Sequence, residues 1–152
     1  MIKNKVKLKG YVLEKKKSLK FEEFKIKGSL KRGQVLVKIL YTGLCGKQIE
    51  EYTSKMGRDK FLPHLLGHEA SGIVINKHKS VKNFKQQDHV VLHWRPSAGI
   101  QSSFPKYKSL TKKNVIIGGG LVTTFNDMAI ISENRLTVVP KSIPFETCAL
   151  LG

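Results

Sequence analysis

Residues 34–41 read QVLVKILY, and they indicate the fold class more strongly than any other stretch of the chain. The run is rich in β-branched and long apolar side chains, as strands are, and it is bounded by Gly33 and Gly43. Four further strand-like runs follow along the chain: residues 70–76, 88–94, 121–132 and 135–139. Strands spaced this closely, without long helices between them, predict a mainly β fold. The arrangement expected is an antiparallel barrel or a sandwich, not an alternating βαβ array.

The segments between these runs carry the remaining structural signals. Residues 46–52 (GKQIEEY) predict a short helix, and residues 144–151 (PFETCALL) predict another, with Ser142 as its cap. Residues 94–114 contain prolines, serines and few periodic apolar residues, so they predict a long and poorly ordered excursion. The three glycines at 118–120 precede a β-branched run and not a helix, which predicts a hairpin turn and argues against a pyrophosphate-binding turn.

The composition is that of one globular domain. The chain has 152 residues, of which 40% are hydrophobic and 26% charged. No apolar run approaches the roughly 18 residues that span a bilayer, and the N-terminus, with lysine at every second position from Lys3 to Lys9, has no apolar signal region. Cys45 and Cys148 are too few and too far apart for a disulfide framework. We therefore expect a cytoplasmic protein without a membrane partner.

The net charge of +17, from 28 basic and 11 acidic residues, raises the question of nucleic-acid binding. Only four of the basic residues are arginine, the side chain best suited to reading bases: Arg32, Arg58, Arg95 and Arg135. The lysines are spread along the chain, and no nucleic-acid-binding motif accompanies them. We expect a lysine-rich solvated surface and no nucleic-acid partner.

Three residues form the best candidate for chemistry. Cys45 follows a predicted strand in TGLCG (residues 42–46), while His68 and Glu69 precede another in GHEAS (residues 67–71). Thiolate, imidazole and carboxylate are the protein ligands that zinc accepts. Taken singly, each residue is more often structural, because no short ligand spacing such as C-x-x-C links them.

Taken together, the two segments resemble the zinc-dependent medium-chain alcohol dehydrogenases. The order is TGLCG, then about twenty residues, then GHEASGIV, followed by QQDHV (86–90), TFNDMA (124–129), VPK (139–141) and ALLG (149–152). This resemblance implies that the chain is the N-terminal GroES-like catalytic domain, a β-barrel. It implies a catalytic zinc held by Cys45 and His68, with Glu69 beside the metal. It also implies interconversion of a small alcohol with an aldehyde or ketone, using NAD or NADP.

The chain departs from the family pattern at three places. Lys47 and Gln48 replace the usual hydroxyl residue and aspartate after the first cysteine, and a Gln48 carbonyl is expected to accept the imidazole N–H of His68. Residues 94–114 contain no cysteine, so no structural zinc is expected there. The third family ligand and the nucleotide-binding domain follow the family's L-G, and this chain reaches Gly152 without them.

These departures define what we expect of residues 1–152, which we interpret as one truncated domain without a nucleotide-binding domain. Alone, it is expected to fold, to bind zinc weakly or not at all and to oxidise no alcohol. An apolar face left exposed would favour homo-oligomers, and Cys148 is predicted to lie in the core. Two alternatives remain open: a zinc-free quinone reductase of the same superfamily, and a stand-alone basic GroES-like binding module.

Overall fold

The computed structural model describes residues 6–152, and its described part is built mainly of strands. Residues 1–5, which include part of the lysine alternation noted above, lie outside the described range. Ten strands are present in residues 6–152: β1 Lys7–Lys15, β2 Ser18–Ile26, β3 Gln34–Thr42, β4 His64–Leu65, β5 Ala70–Lys77, β6 His89–Leu92, β7 Lys106–Ser109, β8 Ile116–Gly118, β9 Met128–Ser132 and β10 Leu136–Val138. The same range contains two short α-helices, α1 Gly46–Thr53 and α2 Phe145–Ala149, and one 3-10 turn, Glu133–Arg135. The predicted mainly β class is confirmed.

The strands form a closed barrel and a second sheet. The barrel has the order β1-β2-β7-β8-β4 and closes where β4 pairs with β1. The five-stranded sheet has the order β10-β6-β5-β3-β9. All strand pairs described are antiparallel except β4 with β8, which is parallel. The expectation of a mostly antiparallel barrel therefore holds, and a sheet packs beside it.

Strand β3 carries three consecutive buried apolar residues, Val35 to Val37, because this part of the strand lies between two hydrophobic cores. Val35 and Val37 point into the core of the five-stranded sheet, and Leu36 points into the barrel core. Strand β9 divides in the same way, with Ile131 in the sheet core and Ile130 in the barrel core. A strand segment buried on both faces has no polar alternation, which explains the apolar run at residues 35–37. Lys38, Leu40 and Tyr41 farther along the strand are exposed.

Two connecting segments differ from the prediction. Residues 94–114 are not wholly an excursion, because β7 inside this segment is a barrel strand and its Tyr107 is completely buried. Residues 118–120 do not form a hairpin turn, since β8 pairs with β7 and β4 while the next strand, β9, belongs to the other sheet. The glycines instead begin the crossing from the barrel to the sheet.

Two predicted element boundaries were also wrong. The run at 121–132 is a strand only from Met128, because residues before it cross between the sheets, and the N–H groups of Thr124 and Phe125 both donate to the Leu66 carbonyl. Helix α2 begins at Phe145 with Pro144 as its N-cap residue, and not from Ser142. No helix in the described residues is long and apolar enough to cross a bilayer.

Candidate metal centre

Cys45 stands at the junction of β3 and α1, where it is the N-cap residue of the helix. Its backbone N–H donates to Gln48 Oε1 (3.0 Å), and its Sγ accepts from the backbone N–H of Lys47 (3.4 Å). These bonds satisfy helix N–H groups that have no partner within the helix itself. The cap therefore fixes both the backbone and the side chain of Cys45.

His68 and Glu69 occupy the short link between β4 and β5. Gly67 before them has φ +89°, and a Cβ there would overlap Thr124 Oγ1, so the link requires glycine. On the opposite side, the N–H of Gly43 donates to the Glu69 carbonyl (3.0 Å), and a Cβ on Gly43 would lie 2.7 Å from Glu69 Cγ. The two glycines allow the Cys45 and His68 segments to approach each other closely.

The three predicted ligands converge. Cys45 Sγ lies 3.3 Å from His68 Nε2, and one ligand atom from each of Cys45, His68 and Glu69 lies within 4.8 Å of the others. A thiolate and an imidazole bound to one tetrahedral zinc at about 2.3 and 2.0 Å are separated by roughly 3.5 Å. The donor set and the spacing thus fit zinc, and all three residues are half-buried.

These residues border a cavity of about 450 Å³. His93, Trp94 and Arg95 line its other side, and the Trp94 ring lies 5.7 Å from the His68 ring, centroid to centroid. Arg135 places its guanidinium carbon 5.7 Å from the Trp94 centroid. A larger cavity of about 840 Å³ is lined by Lys16, Arg58 and Lys60 among others, and none of the three ligand candidates borders it. All three candidate ligands therefore border the smaller cavity.

Comparison with known proteins bears on this geometry. Residues 31–141 match the family model described as the alcohol dehydrogenase GroES-like domain. The chain belongs to this family. The matched segment includes β3, α1 and all three candidate ligands, so the resemblance inferred from the sequence is confirmed.

Individual relatives agree with the family. The chain is 28% identical over 134 residues to an alcohol dehydrogenase of Schizosaccharomyces pombe, covering 87% of this chain and 38% of that protein. It is 28% identical over 162 residues to an alcohol dehydrogenase class-3 of Dictyostelium discoideum, covering 91% and 42%. The fold matches the crystal structure of an alcohol dehydrogenase zinc-binding domain protein from Burkholderia ambifaria, with a TM-score of 0.79, 21% identity and coverage of 97% and 45%. The chain thus spans less than half the length of each.

Gln48 contacts His68 in this GroES-like domain, but not in the predicted way. The expected contact was a Gln48 carbonyl accepting the imidazole N–H. Instead the carbonyl oxygen is occupied by the Cys45 N–H, and Gln48 Nε2 faces His68 Nδ1 at 2.7 Å. The capping requirement of α1 determines which end of the amide meets the histidine.

His93 lines the cavity but is held away from a ligand role. Its Nδ1–H donates to the Arg95 carbonyl (2.6 Å), and its Nε2 lies 3.0 Å from the Thr137 hydroxyl, which donates to it. With both ring nitrogens engaged, the side chain fixes the turn at residues 93–95 and so positions Trp94. His93 thus borders the cavity and holds the turn that follows β6.

Two further residues named in the sequence analysis have clear structural settings. Cys148 is completely buried inside α2, as predicted for a core residue. Lys47 is exposed and pairs with Glu50 at 3.4 Å, so its ammonium group is engaged on the helix surface.

A largely buried polar pair at the start of β4 was not predicted from the sequence. His64 Nε2 lies 2.7 Å from Asp59 Oδ2, and both side chains are largely buried. Burial acts to raise the pKa of Asp59, but the hydrogen bonds from His64 and from the Phe61 N–H outweigh it, so the pKa lies below its ordinary value of 3.8. The pair anchors the turn before β4, and the five-residue spacing is not a recognisable signal.

Proposed function

We propose that this chain is the metal-binding catalytic domain of a zinc-dependent oxidoreductase that interconverts a small alcohol with an aldehyde or ketone. One observation carries the proposal: the sulfur of Cys45, the Nε2 of His68 and the carboxylate of Glu69 converge beside one cavity. The family membership of the chain and the alcohol dehydrogenase relatives support the same reaction class.

Each residue has a role in this proposal. Cys45 and His68 hold the metal, and Glu69 serves as a third or exchangeable ligand, which leaves a position open toward the cavity for the substrate oxygen. Trp94 forms an apolar wall of that cavity. Zinc in such a site acts as a Lewis acid that polarises an alcohol or carbonyl oxygen.

The hydride acceptor is proposed to be NAD or NADP, bound by another domain of the enzyme. Residues 1–152 would then be the catalytic domain alone. The coverage of the relatives supports this division, because the chain spans 38% and 42% of the two curated proteins. Self-association remains a prediction, and Leu150 and Leu151 near the cavity, which are 80% and 63% exposed, would contribute to such an interface.

The ligand geometry disfavours the two alternative functions. A zinc-free quinone reductase has no need of a thiol and an imidazole 3.3 Å apart at the cavity. A basic binding module would use its charged surface and not a half-buried S, N and O donor set. Metal binding that depends on Cys45 therefore separates the proposed function from both.

The chain carries its own reporter for this test, because Trp94 is its single tryptophan and lies beside His68. Two protein ligands and a possible third predict weak binding, so zinc is titrated in large excess into the purified chain, and it is expected to change Trp94 emission until one ion is bound per chain. A small alcohol is then expected to perturb the emission only in the zinc-loaded form. Cys45→Ser should abolish both responses, while Cys148→Ser, as the matched control, should retain them. An alcohol response that is the same without zinc would contradict the proposal.

A further inference from the structure

Gln48 makes two hydrogen bonds that together determine where the proton on His68 resides. It is 2% exposed, so water cannot take the place of a lost partner. The side-chain oxygen accepts from the Cys45 backbone N–H (3.0 Å), and the side-chain nitrogen lies 2.7 Å from His68 Nδ1. The backbone N–H can only donate, which forces the amide oxygen to face it and the NH2 group to face the histidine.

The orientation of the amide dictates the histidine tautomer. An NH2 group can only donate, so His68 Nδ1 must be the unprotonated acceptor. Neutral His68 therefore carries its proton on Nε2, the atom that lies 3.3 Å from Cys45 Sγ. The sulfur then accepts two N–H donors, from His68 Nε2 and from the Lys47 backbone. A continuous chain of bonds runs from the cap of α1 through Gln48 and His68 to Cys45.

This tautomer conflicts with metal binding at the same atom. A metal ligand needs the Nε2 lone pair, and the other ring nitrogen of a metal-bound histidine normally donates its N–H to an acceptor. For His68 that acceptor would have to be the Gln48 oxygen, which requires the amide to turn by about 180° and to place its NH2 group against the Cys45 N–H. The single side-chain oxygen of Gln48 cannot accept from both the Cys45 N–H and the His68 Nδ1–H, because these two donors lie at opposite ends of the amide.

We propose that Gln48 is a positioning residue that holds His68 with its proton on Nε2, so that metal binding requires loss of the Cys45–Gln48 capping bond. The part that concerns metal affinity rests on the proposed function, whereas the part that concerns the tautomer stands on the hydrogen bonds alone. A carboxylate at this position removes the conflict, because its two oxygens accept from Cys45 N–H and from His68 Nδ1–H at once. Gln48→Glu keeps the side-chain length and supplies those two acceptors.

Metal affinity gives one readout. Replacing the group that partners a metal-bound histidine typically changes metal affinity 10- to 100-fold, so Gln48→Glu is expected to raise zinc affinity by about that factor. Lys47→Gln is the matched control, since it makes the same one-unit change in charge at the neighbouring, exposed position. It is expected to change zinc affinity much less than Gln48→Glu does. Equal effects of the two variants would mean that charge alone explains the gain.

The tautomer gives a second readout that needs no metal. In metal-free protein with 15N-labelled histidine, two-dimensional NMR distinguishes protonated from unprotonated ring nitrogens, and the His68→Asn spectrum identifies the His68 signals among the five histidines. The unmodified chain is expected to show protonated Nε2, and Gln48→Glu to show protonated Nδ1. Protonated Nδ1 in the unmodified chain would overturn the inference. If no variant binds zinc while the tautomers shift as expected, the proposed function fails and the role of Gln48 stands.

Discussion

Cys45 Sγ lies 3.3 Å from His68 Nε2, although 23 positions separate the two residues in the chain. The pairing of β3 with β5 produces this contact, because Thr42 and Ala70 are register partners in the antiparallel ladder. Cys45 lies just past the end of β3, and His68 lies just before the start of β5, so both reach the same edge of the sheet. The approach of these two candidate ligands is thus a consequence of strand register.

The glycine before His68 is expected to be indispensable. Gly67→Ala would force a side chain into φ +89° and against Thr124 Oγ1, and we expect it to lower the free energy of unfolding by about 1–3 kcal/mol. Gly46→Ala is the control: no atom lies within 4 Å of its Cβ, and alanine favours helix α1. Urea denaturation of both variants measures the difference. A loss of stability in Gly46→Ala as large as that in Gly67→Ala would contradict the structure.

The two cysteines are expected to differ in reactivity. Cys45 is half-buried at the cavity, and Cys148 is buried in α2; neither forms a disulfide. A thiol reagent such as an aromatic disulfide should therefore modify one thiol rapidly in the native chain and two in denaturant. Zinc should protect the fast-reacting thiol, and Cys45→Ser should remove it. Rapid native labelling of Cys148 would show that α2 is not packed as described.

Tyr107 is expected to make the stability fall at alkaline pH. Burial raises the pKa of its phenol above the ordinary 10.0, although the hydrogen bond from the Ile130 N–H opposes this in part. The unfolded chain then loses the proton first, so the free energy of unfolding decreases as the pH rises through 10. Tyr107→Phe removes this dependence and leaves the Ile130 N–H unpaired, at a cost of about 1–3 kcal/mol at neutral pH.

Parallel denaturation of the native and Tyr107→Phe chains from pH 8 to 11 measures this effect. The stability difference between them should shrink above pH 10, because all other titrating groups are common to both. A difference that stays constant with pH would mean that Tyr107 is not buried in the native state.

Glu133 is expected to anchor the first part of the segment 94–114. This buried carboxylate accepts from Asn83 Nδ2 (3.1 Å) and from the Ile100 N–H (2.9 Å). Glu133→Gln supplies one acceptor oxygen for two donors. We therefore expect the free energy of unfolding to fall by about 1–3 kcal/mol and hydrogen exchange at the Ile100 amide to become faster. The exposed Glu23→Gln should change the stability by less than about 0.5 kcal/mol. Unchanged exchange at Ile100 would show that another contact holds the segment.

The fold class was predictable from the sequence because several strands have unmistakable local signals. The run at 34–41 contains Val35, Leu36 and Val37 in succession, and the structure places their two faces in two cores. The hairpin of β1 and β2 was not predicted. The alternation of Lys7 and Lys9 with Leu8 is nevertheless a period-two pattern, which is typical of a strand.

Other features depend on tertiary context. Strand β7 lies in a segment dominated by turn residues, and only its partners β2 and β8 explain why Tyr107 is buried there. The convergence of Cys45 and His68 was predictable from the family motifs, whereas the orientation of the Gln48 amide was not. That orientation follows from competition between two hydrogen-bond partners, and only the positions of both show which one the oxygen accepts from.

The most direct test of the central claim, that Cys45 and His68 hold one metal ion, is titration of the metal-free chain with Co²⁺. A thiolate ligand gives Co²⁺ an intense near-ultraviolet charge-transfer band. We expect this band to saturate at one Co²⁺ per chain in the unmodified and Cys148→Ser proteins and to be abolished in Cys45→Ser, while His68→Asn should weaken binding strongly. A band that persists in Cys45→Ser, or the absence of any band in the unmodified chain, would contradict the claim.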